Sequence, residues 1–355
     1  MSLPLLSLLR RRRVDLLLLA VAATWGASYL SAKALVDMAG VPATLSLRYL
    51  AAAAGMLVVW LFVRPGVPTR RALGVGLLLG VSQASVLWLE TAGVQLTDAT
   101  NAGLLISLTI VFTPILASAA SRRWLPRSFF VAAVLAVVGV FLLVSADGIR
   151  PPSIGDVLIL AAAVVRAVHV TATGRLVRPG ESTLTLVLVQ LLVGSLAFTV
   201  LAAPELGRAV ARLGLMGWAN VVFLGLGCSV FAFVVQAWAI RRTSAARAAL
   251  LMGTEPIWAV AVGVGLGGER LGVVGLIGAV LIIAATYAGQ AIEARHRAGS
   301  GAPPSGRPGT CGSCGSMLRG GLKDRFGLSW QIVPMALLQM HKRDIKALTD
   351  AADTG

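Results

Sequence analysis

The hydrophobic pattern of this chain repeats itself upside down, and that constrains its fold more than any other feature. Residues 15–145 read as five apolar segments, and residues 156–291 read as five more. An odd number of crossings in each half inverts the second half relative to the first. Such an inversion sets a pseudo-two-fold axis in the membrane plane and brings the interface between the halves to the bilayer midplane.

The composition agrees with membrane burial. Apolar residues make up 57% of the chain and charged residues 13%, against roughly 25% charged in a soluble domain. About 20 apolar residues are needed to cross the hydrocarbon core. The spans expected on that basis are 15–36, 42–63, 73–95, 100–120, 128–145, 156–176, 183–203, 218–240, 244–266 and 271–291. Turn signals separate them at Pro65 to Pro68, at Pro151 and Pro152, and at Pro179 and Gly180. No segment alternates with period two, as the strands of a membrane barrel do. The expected fold is therefore an all-α membrane protein: ten transmembrane helices in two inverted five-helix repeats. Arg10 to Arg13 precede the first apolar stretch, as in a signal peptide or a twin-arginine address. That stretch is as long as those that follow, so it reads as an uncleaved first helix behind a basic N-terminus, residues 1–14.

The net charge is +16. Its basic residues lie between apolar segments and form no stripe with interleaved aromatics, which argues against nucleic acid as a partner. They suit loops that face anionic lipid and the cytoplasm. With the N-terminus inside, the cytoplasmic loops hold Arg64, Arg70, Arg71, Arg122, Arg123, Arg127, Arg175, Arg178, Arg241 and Arg242. The outer loops hold Arg150, Arg208, Arg212 and Arg270. By the positive-inside rule both termini are expected in the cytoplasm, in a multi-pass protein of the cytoplasmic membrane.

The repeat is visible in residues as well as in hydropathy. TWGASYLSAKALVD from Thr24 aligns with VRAVHVTATGRLVR from Val165. TDATNAGLL from Thr97 aligns with TSAARAALL from Thr243, and Pro114 aligns with Pro256. The first copy carries about one extra helical turn between Thr97 and Pro114.

Ionisable groups at the midplane cost about 3 kcal/mol each on insertion scales, so they mark the bundle interior. Glu255 sits mid-segment, and Pro256 behind it frees a carbonyl one turn back and favours a kink. Such a carboxylate suits a cationic substrate group or a proton; a satisfied interhelical hydrogen bond is the plainer reading. Arg166 aligns with Trp25, so both are expected near a central cavity. A substrate carboxylate and the Glu255 side chain are both candidate partners for Arg166. His169 lies at i+3 from Arg166 and shares its face, as a proton relay or a packed neutral imidazole. Gln83 and Glu90 share a face of the third segment, and Ser229 and Gln236 stand at the matching places of the eighth. Glu90 also fits a vestibule nearer the outer end. Trp25, Tyr29 and Trp88 are a candidate aromatic wall. Asn101 completes the candidate substrate-binding set. Lys33 and Arg48 read as snorkelling or lipid-facing charges. Gly74, Gly76, Gly80, Gly225 and Gly227 suit close helix packing. Cys228 reads as inert packing. Cys311 and Cys314 form a lone CxxC with no second pair, short of the four ligands a zinc site needs. Neither a metal nor a cofactor is expected.

On these residues the chain resembles the EamA family of the drug/metabolite transporter superfamily. The matching pieces are TWGASY, LSLRYL with Arg48, GDVLILAAAVVRAV, and above all residues 243–282 with Pro256 and the pair Gly268-Glu269. The resemblance implies a ten-helix carrier with two EamA repeats, residues 15–145 and 156–291, and usually an exporter of amino acids, metabolites or drugs. Where that family's helix-end glutamate stands at Glu269, the first copy has Arg127, so Glu269 reads as a structural charge, helix-terminal or interfacial. The function expected is secondary active export by alternating access. A membrane sensor or scaffold keeping the carrier fold is the alternative. An enzyme is not expected, since neither HExxH nor GxGD occurs. The expected partners are a small-molecule substrate, the lipid bilayer, a coupling proton and a second copy of the chain.

Beyond residue 291 the composition changes. Residues 292–321 read as a flexible linker rich in Gly, Pro, Ser and Arg. Residues 322–355, with LKDRFGLSWQIVP and LLQMHKRDIKALTDAADTG, resemble the C-terminal end of PhnB-like glyoxalase-fold proteins. His296 and His341 are the tail's histidines, too few for that fold's metal ligands, so a truncated remnant is expected.

Overall fold

In a computed structural model the described residues are 3–65, 68–121, 124–144, 152–178, 181–240 and 251–300. Among them there is helix and no strand. Nine helices among the described residues are long and apolar enough to cross a membrane, and a tenth apolar helix is shorter.

The first repeat comprises α1 (Leu3–Ala39), α2 (Val41–Val63), α3 (Arg70–Leu96), the pair α4 (Ala99–Ile106) and α5 (Thr109–Ser121), and α6 (Arg127–Val144). The second comprises α7 (Ile154–Leu176) and α8 (Thr183–Arg212), then an eighth span, α11 (Glu255–Gly265) and α12 (Val273–Ser300). The eighth span runs from α9 (Leu215–Val222) through a π-helical stretch, Phe223–Phe231, into α10 (Ala232–Ile240). The expected spans fall on these helices. Residues 244–250 of the ninth and the whole remnant, 322–355, lie outside the described residues. Three helices outrun their spans: α1 begins at Leu3, within the stretch read as a basic N-terminus, α8 continues to Arg212, and α12 continues to Ser300, into the stretch read as linker.

The packing carries the inverted symmetry. α1 lies on α11, as α7 lies on α4 and α5. α3 contacts α7 and α8, as the eighth span contacts α1 and α2. α2 with α8, α4 with α11, and α6 with α12 are the pairs that map onto themselves. A Cβ at Gly139 would lie 2.9 Å from the Gly278 carbonyl oxygen, so the α6–α12 crossing requires small residues on both sides. Leu61, Phe62, Val131, Val137, Leu196 and Val200 stay exposed, as a lipid-facing band requires.

Helix ends follow local chemistry. α1 and α2 are separated by Gly40 alone, whose φ of 75° suits glycine. Ser153 and Asp156 form a reciprocal capping box at the start of α7. The other Asp156 oxygen accepts from the Thr97 hydroxyl at 2.6 Å, tying α7 to the α3–α4 connection. At the start of α4 the backbone N–H groups of Ala99 and Thr100 donate to the Glu269 carboxylate at 2.7 and 2.8 Å. Glu269 is thus a helix cap supplied across the chain, which is the structural role its position suggested. Lys33 is not lipid-facing. Its Nζ donates to the Thr97 carbonyl at 2.7 Å and pairs with Asp98 at 3.3 Å, at the C-terminal end of α3 where a cation is favoured.

A candidate substrate cavity between the repeats

Two spans break where they meet the middle of the bundle. Residues 107–108 form a turn between α4 and α5, closed by Leu108 N–H donating to the Leu105 carbonyl at 3.1 Å. Residues 253–254 form a turn before α11, which starts at Glu255 with Pro256 in its first turn. Proline there lacks an N–H that the helix start would leave unpaired anyway. Pro256 therefore opens a half-helix; it does not kink a continuous one. Glu255 comes to lie at a helix N-terminus, where the dipole favours a negative side chain.

Gly26 lets α1 reach this break. A Cβ on Gly26 would lie 2.6 Å from Trp258 Cβ and 2.8 Å from the Glu255 carbonyl oxygen. Tyr29, at i+3, shares that face. Its hydroxyl donates to Glu255 Oε1 at 2.7 Å, with both side chains buried. One turn earlier, Trp25 Nε1 donates to the Cys228 carbonyl at 2.9 Å, inside the π-helical stretch. π turns widen the ring of backbone bonds and recur at functional sites. Trp25 also meets Phe233 edge-on, with ring centroids 6.2 Å apart.

Across from α1, Arg166 on α7 forms an ion pair with Glu90 on α3, and the two side chains are 8% and 9% exposed. The acceptor of Arg166 is Glu90, not Glu255. His169 shares the Arg166 face and takes a 2.7 Å hydrogen bond between its Nδ1 and the Ser82 hydroxyl.

These groups surround one cavity. The space open to water centres is about 80 Å³, several times the roughly 10–15 Å³ that one water requires. Seven residues singled out from sequence line it: Trp25, Tyr29, Gln83, Glu90, Arg166, His169 and Glu255. Three do not. Trp88 projects from the other side of α3 and stacks on Phe198 with centroids 6.1 Å apart. Gln236 is fully buried, and its Nε2 donates to Met252 Sδ at 2.9 Å. Asn101 lines a separate small pocket beside Glu269 and Arg270.

The cavity also holds residues that sequence reasoning set elsewhere or passed over. Arg48 lines it and is not a lipid-facing charge; among the described residues it donates to no acceptor. Tyr49 and Gln190 line it beside Arg48. Ser28, which aligns with His169, lines it too, and Ser229, already expected from sequence as the match of Gln83, completes a second matched pair on its wall. The signal that would have found Arg48 is its own match. Residues 45–50, LSLRYL, and 187–192, VLVQLL, put Arg48 against Gln190 in otherwise apolar second helices.

Comparison with known proteins follows the same two halves. A profile of the EamA-like transporter family matches residues 12–145 and again residues 153–288. The uncharacterized transporter YetK of Bacillus subtilis (strain 168) is 27% identical over 254 residues, covering 68% of this chain and 76% of that one. A solved crystal structure shares the fold with a TM-score of 0.56 at 18% identity, over 78% of this chain and 98% of the other.

Proposed function

The chain belongs to the EamA-like transporter family, and on that premise we propose that it is a secondary active transporter exporting small metabolites, amino acids or drugs. It sits in the cytoplasmic membrane with both termini in the cytoplasm, the side on which the arginine-rich loops are best accommodated. Substrate occupies the cavity between the repeats. The two repeats rock about it so that the cavity opens to one side at a time.

The observation that carries this reading is the concentration of charge at one place. Glu90, Arg166 and Glu255 are buried together around a single cavity at the junction of two inverted repeats, with Arg48 beside them. Such groups are costly to insert and are retained where a solute or ion passes. Packing alone explains the paired Glu90 and Arg166. It does not explain the cavity beside them, nor Arg48 without an acceptor among the described residues. Glu255 and Tyr29 form the part of the wall suited to a cationic group or a transported proton, since a carboxylate at a broken helix exchanges partners without refolding.

The test is efflux of labelled amino acids and cationic dyes from proteoliposomes with an imposed proton gradient. Wild type should move at least one solute of the panel. Glu255→Gln should lose that movement while the protein stays folded and monodisperse. A wild type that moves nothing would favour a membrane sensor with a carrier fold. Unchanged efflux in Glu255→Gln would remove Glu255 from the pathway.

A further inference from the structure

We infer that Arg48, Tyr49 and Gln190 form a carboxylate-binding subsite on the α2–α8 wall of the cavity, so that the transported solute carries a carboxylate. The inference rests on the carrier reading above and names a substrate group for it.

Three residues that line this wall carry donors without acceptors among the described residues. Arg48 is half-buried, lines the cavity, and donates to nothing among the described residues. The Tyr49 hydroxyl is buried and has no hydrogen-bond partner among the described residues, in a residue 3% exposed. The Gln190 amide nitrogen is in the same state, in a residue 5% exposed. Buried polar groups without partners are destabilising, and a bound ligand, ion or water in the adjoining cavity would relieve that cost. Their place is fixed by packing. Gly194, one turn after Gln190, lies against the Tyr49 ring, and Tyr49 meets Phe198 with ring centroids 5.2 Å apart. The donors are thus held on a rigid helix pair.

Charge balance selects the ligand group. Glu90 and Arg166 neutralise each other. Arg48 and Glu255 remain, on different walls: Arg48 on α2, which packs on α8, and Glu255 on α11, which packs on α1. A guanidinium presents several donors to one planar, two-oxygen acceptor, the group arginine recognises best, and the Tyr49 and Gln190 donors of the same wall add capacity beside it. An ammonium on the same solute would face Glu255.

The experiment uses the purified full chain in detergent and reads ligand-induced thermal stabilisation, which follows affinity through mass action. The probes are a mixture of L-amino acids, 3-phenylpropionate and acetate, against 2-phenylethylamine, which lacks the carboxylate, and sodium chloride. Carboxylate probes should stabilise wild type. Arg48→Gln should weaken that binding by about tenfold or more, a charge-assisted hydrogen bond's worth. Arg48→Lys should restore part of it, and Gln190→Leu should weaken it with all charges retained. Arg208→Gln, at the exposed end of α8, should bind as wild type. The subsite is overturned if no carboxylate probe stabilises wild type, if Arg48→Gln and Gln190→Leu both bind as wild type, or if chloride alone gives the same Arg48-dependent shift. Its failure differs from failure of the carrier reading. Arg48-independent efflux of 2-phenylethylamine would keep the carrier and overturn the subsite. Arg48-dependent carboxylate binding without any efflux would do the reverse.

Discussion

Replacing Glu90 with Gln should destabilise the protein, and replacing Arg166 as well should restore most of the loss. Both side chains are more than nine-tenths buried and paired to each other. Two unit charges about 4 Å apart attract by about 4 kcal/mol at an effective dielectric constant of about 20. Removing one member of a buried pair also leaves the other charge uncompensated, and such changes cost about 3–5 kcal/mol. Glu90→Gln and Arg166→Gln should therefore each lower the unfolding free energy by about 3 kcal/mol or more. The double variant leaves two amides able to bond to each other, with no charge to solvate, so it should lie closer to wild type than either single variant. The assay is equilibrium unfolding in mixed detergent micelles, followed by tryptophan fluorescence, as a complete cycle. Glu255 supplies the internal comparison. Its nearest partner is the Tyr29 hydroxyl at 2.7 Å, so its coupling to Arg166 should be clearly smaller than that of Glu90. Losses for Glu90→Gln and Arg166→Gln that add within about 0.5 kcal/mol in the double variant would refute the pairing. So would stronger coupling of Arg166 to Glu255 than to Glu90.

Glu269→Ala should cost about 3 kcal/mol in the same unfolding assay, because two backbone N–H groups lose a charged acceptor. Glu269→Gln keeps one accepting oxygen and should lose about half as much; two variants as stable as wild type would dismiss the cap. Gly26→Ala should cost about 1–3 kcal/mol by overpacking the α1–α11 contact, whereas Gly74→Ala, with nothing within 4 Å of its added Cβ, should be neutral or slightly stabilising. Equal melting temperatures for these two glycine variants would show that the close approach at Gly26 does not matter.

Much of the architecture was legible because membrane spans announce themselves by length and hydropathy, and because the aligned pairs Trp25–Arg166 and Pro114–Pro256 reveal the inversion. The breaks were not legible in the same way. Residues 107–108 and the π-helical stretch 223–231 lie inside largely apolar runs, whose few serines and threonines do not mark a change of backbone bonding. The ends of α8 and α12 escaped for the opposite reason: a helix that leaves the hydrocarbon turns polar while staying helical. Side-chain pairing was the hardest part. Sequence places Arg166, Glu90 and Glu255 at similar depths but does not fix the rotation of each helix about its axis. That rotation gave Arg166 to Glu90 and Tyr29 to Glu255. Depth alone also misled at Arg48, where a position near a helix end suggested lipid and the packing of α2 on α8 turned the side chain inward.

The matched positions also bear on how one cavity serves two conformations. The backbone is built twice, and its contacts map onto each other under the inversion. The side chains do not: on the cavity wall Trp25 matches Arg166, Ser28 matches His169 and Arg48 matches Gln190, and Thr113 before Pro114, off that wall, stands where Glu255 precedes Pro256. A symmetric backbone makes the inward-open and outward-open arrangements of the proposed carrier close in energy, because each is approximately the other with the repeats exchanged. Identical side chains would leave a solute with two equivalent orientations. Placing Arg48 in one repeat and Glu255 in the other removes that equivalence and gives the solute a single polarity between the walls. On this account Arg48→Gln combined with Gln190→Arg, which moves the guanidinium to the matched position of the other repeat, should keep the protein folded and yet not restore carboxylate binding. Restored binding would mean that the cavity tolerates the solute in either orientation.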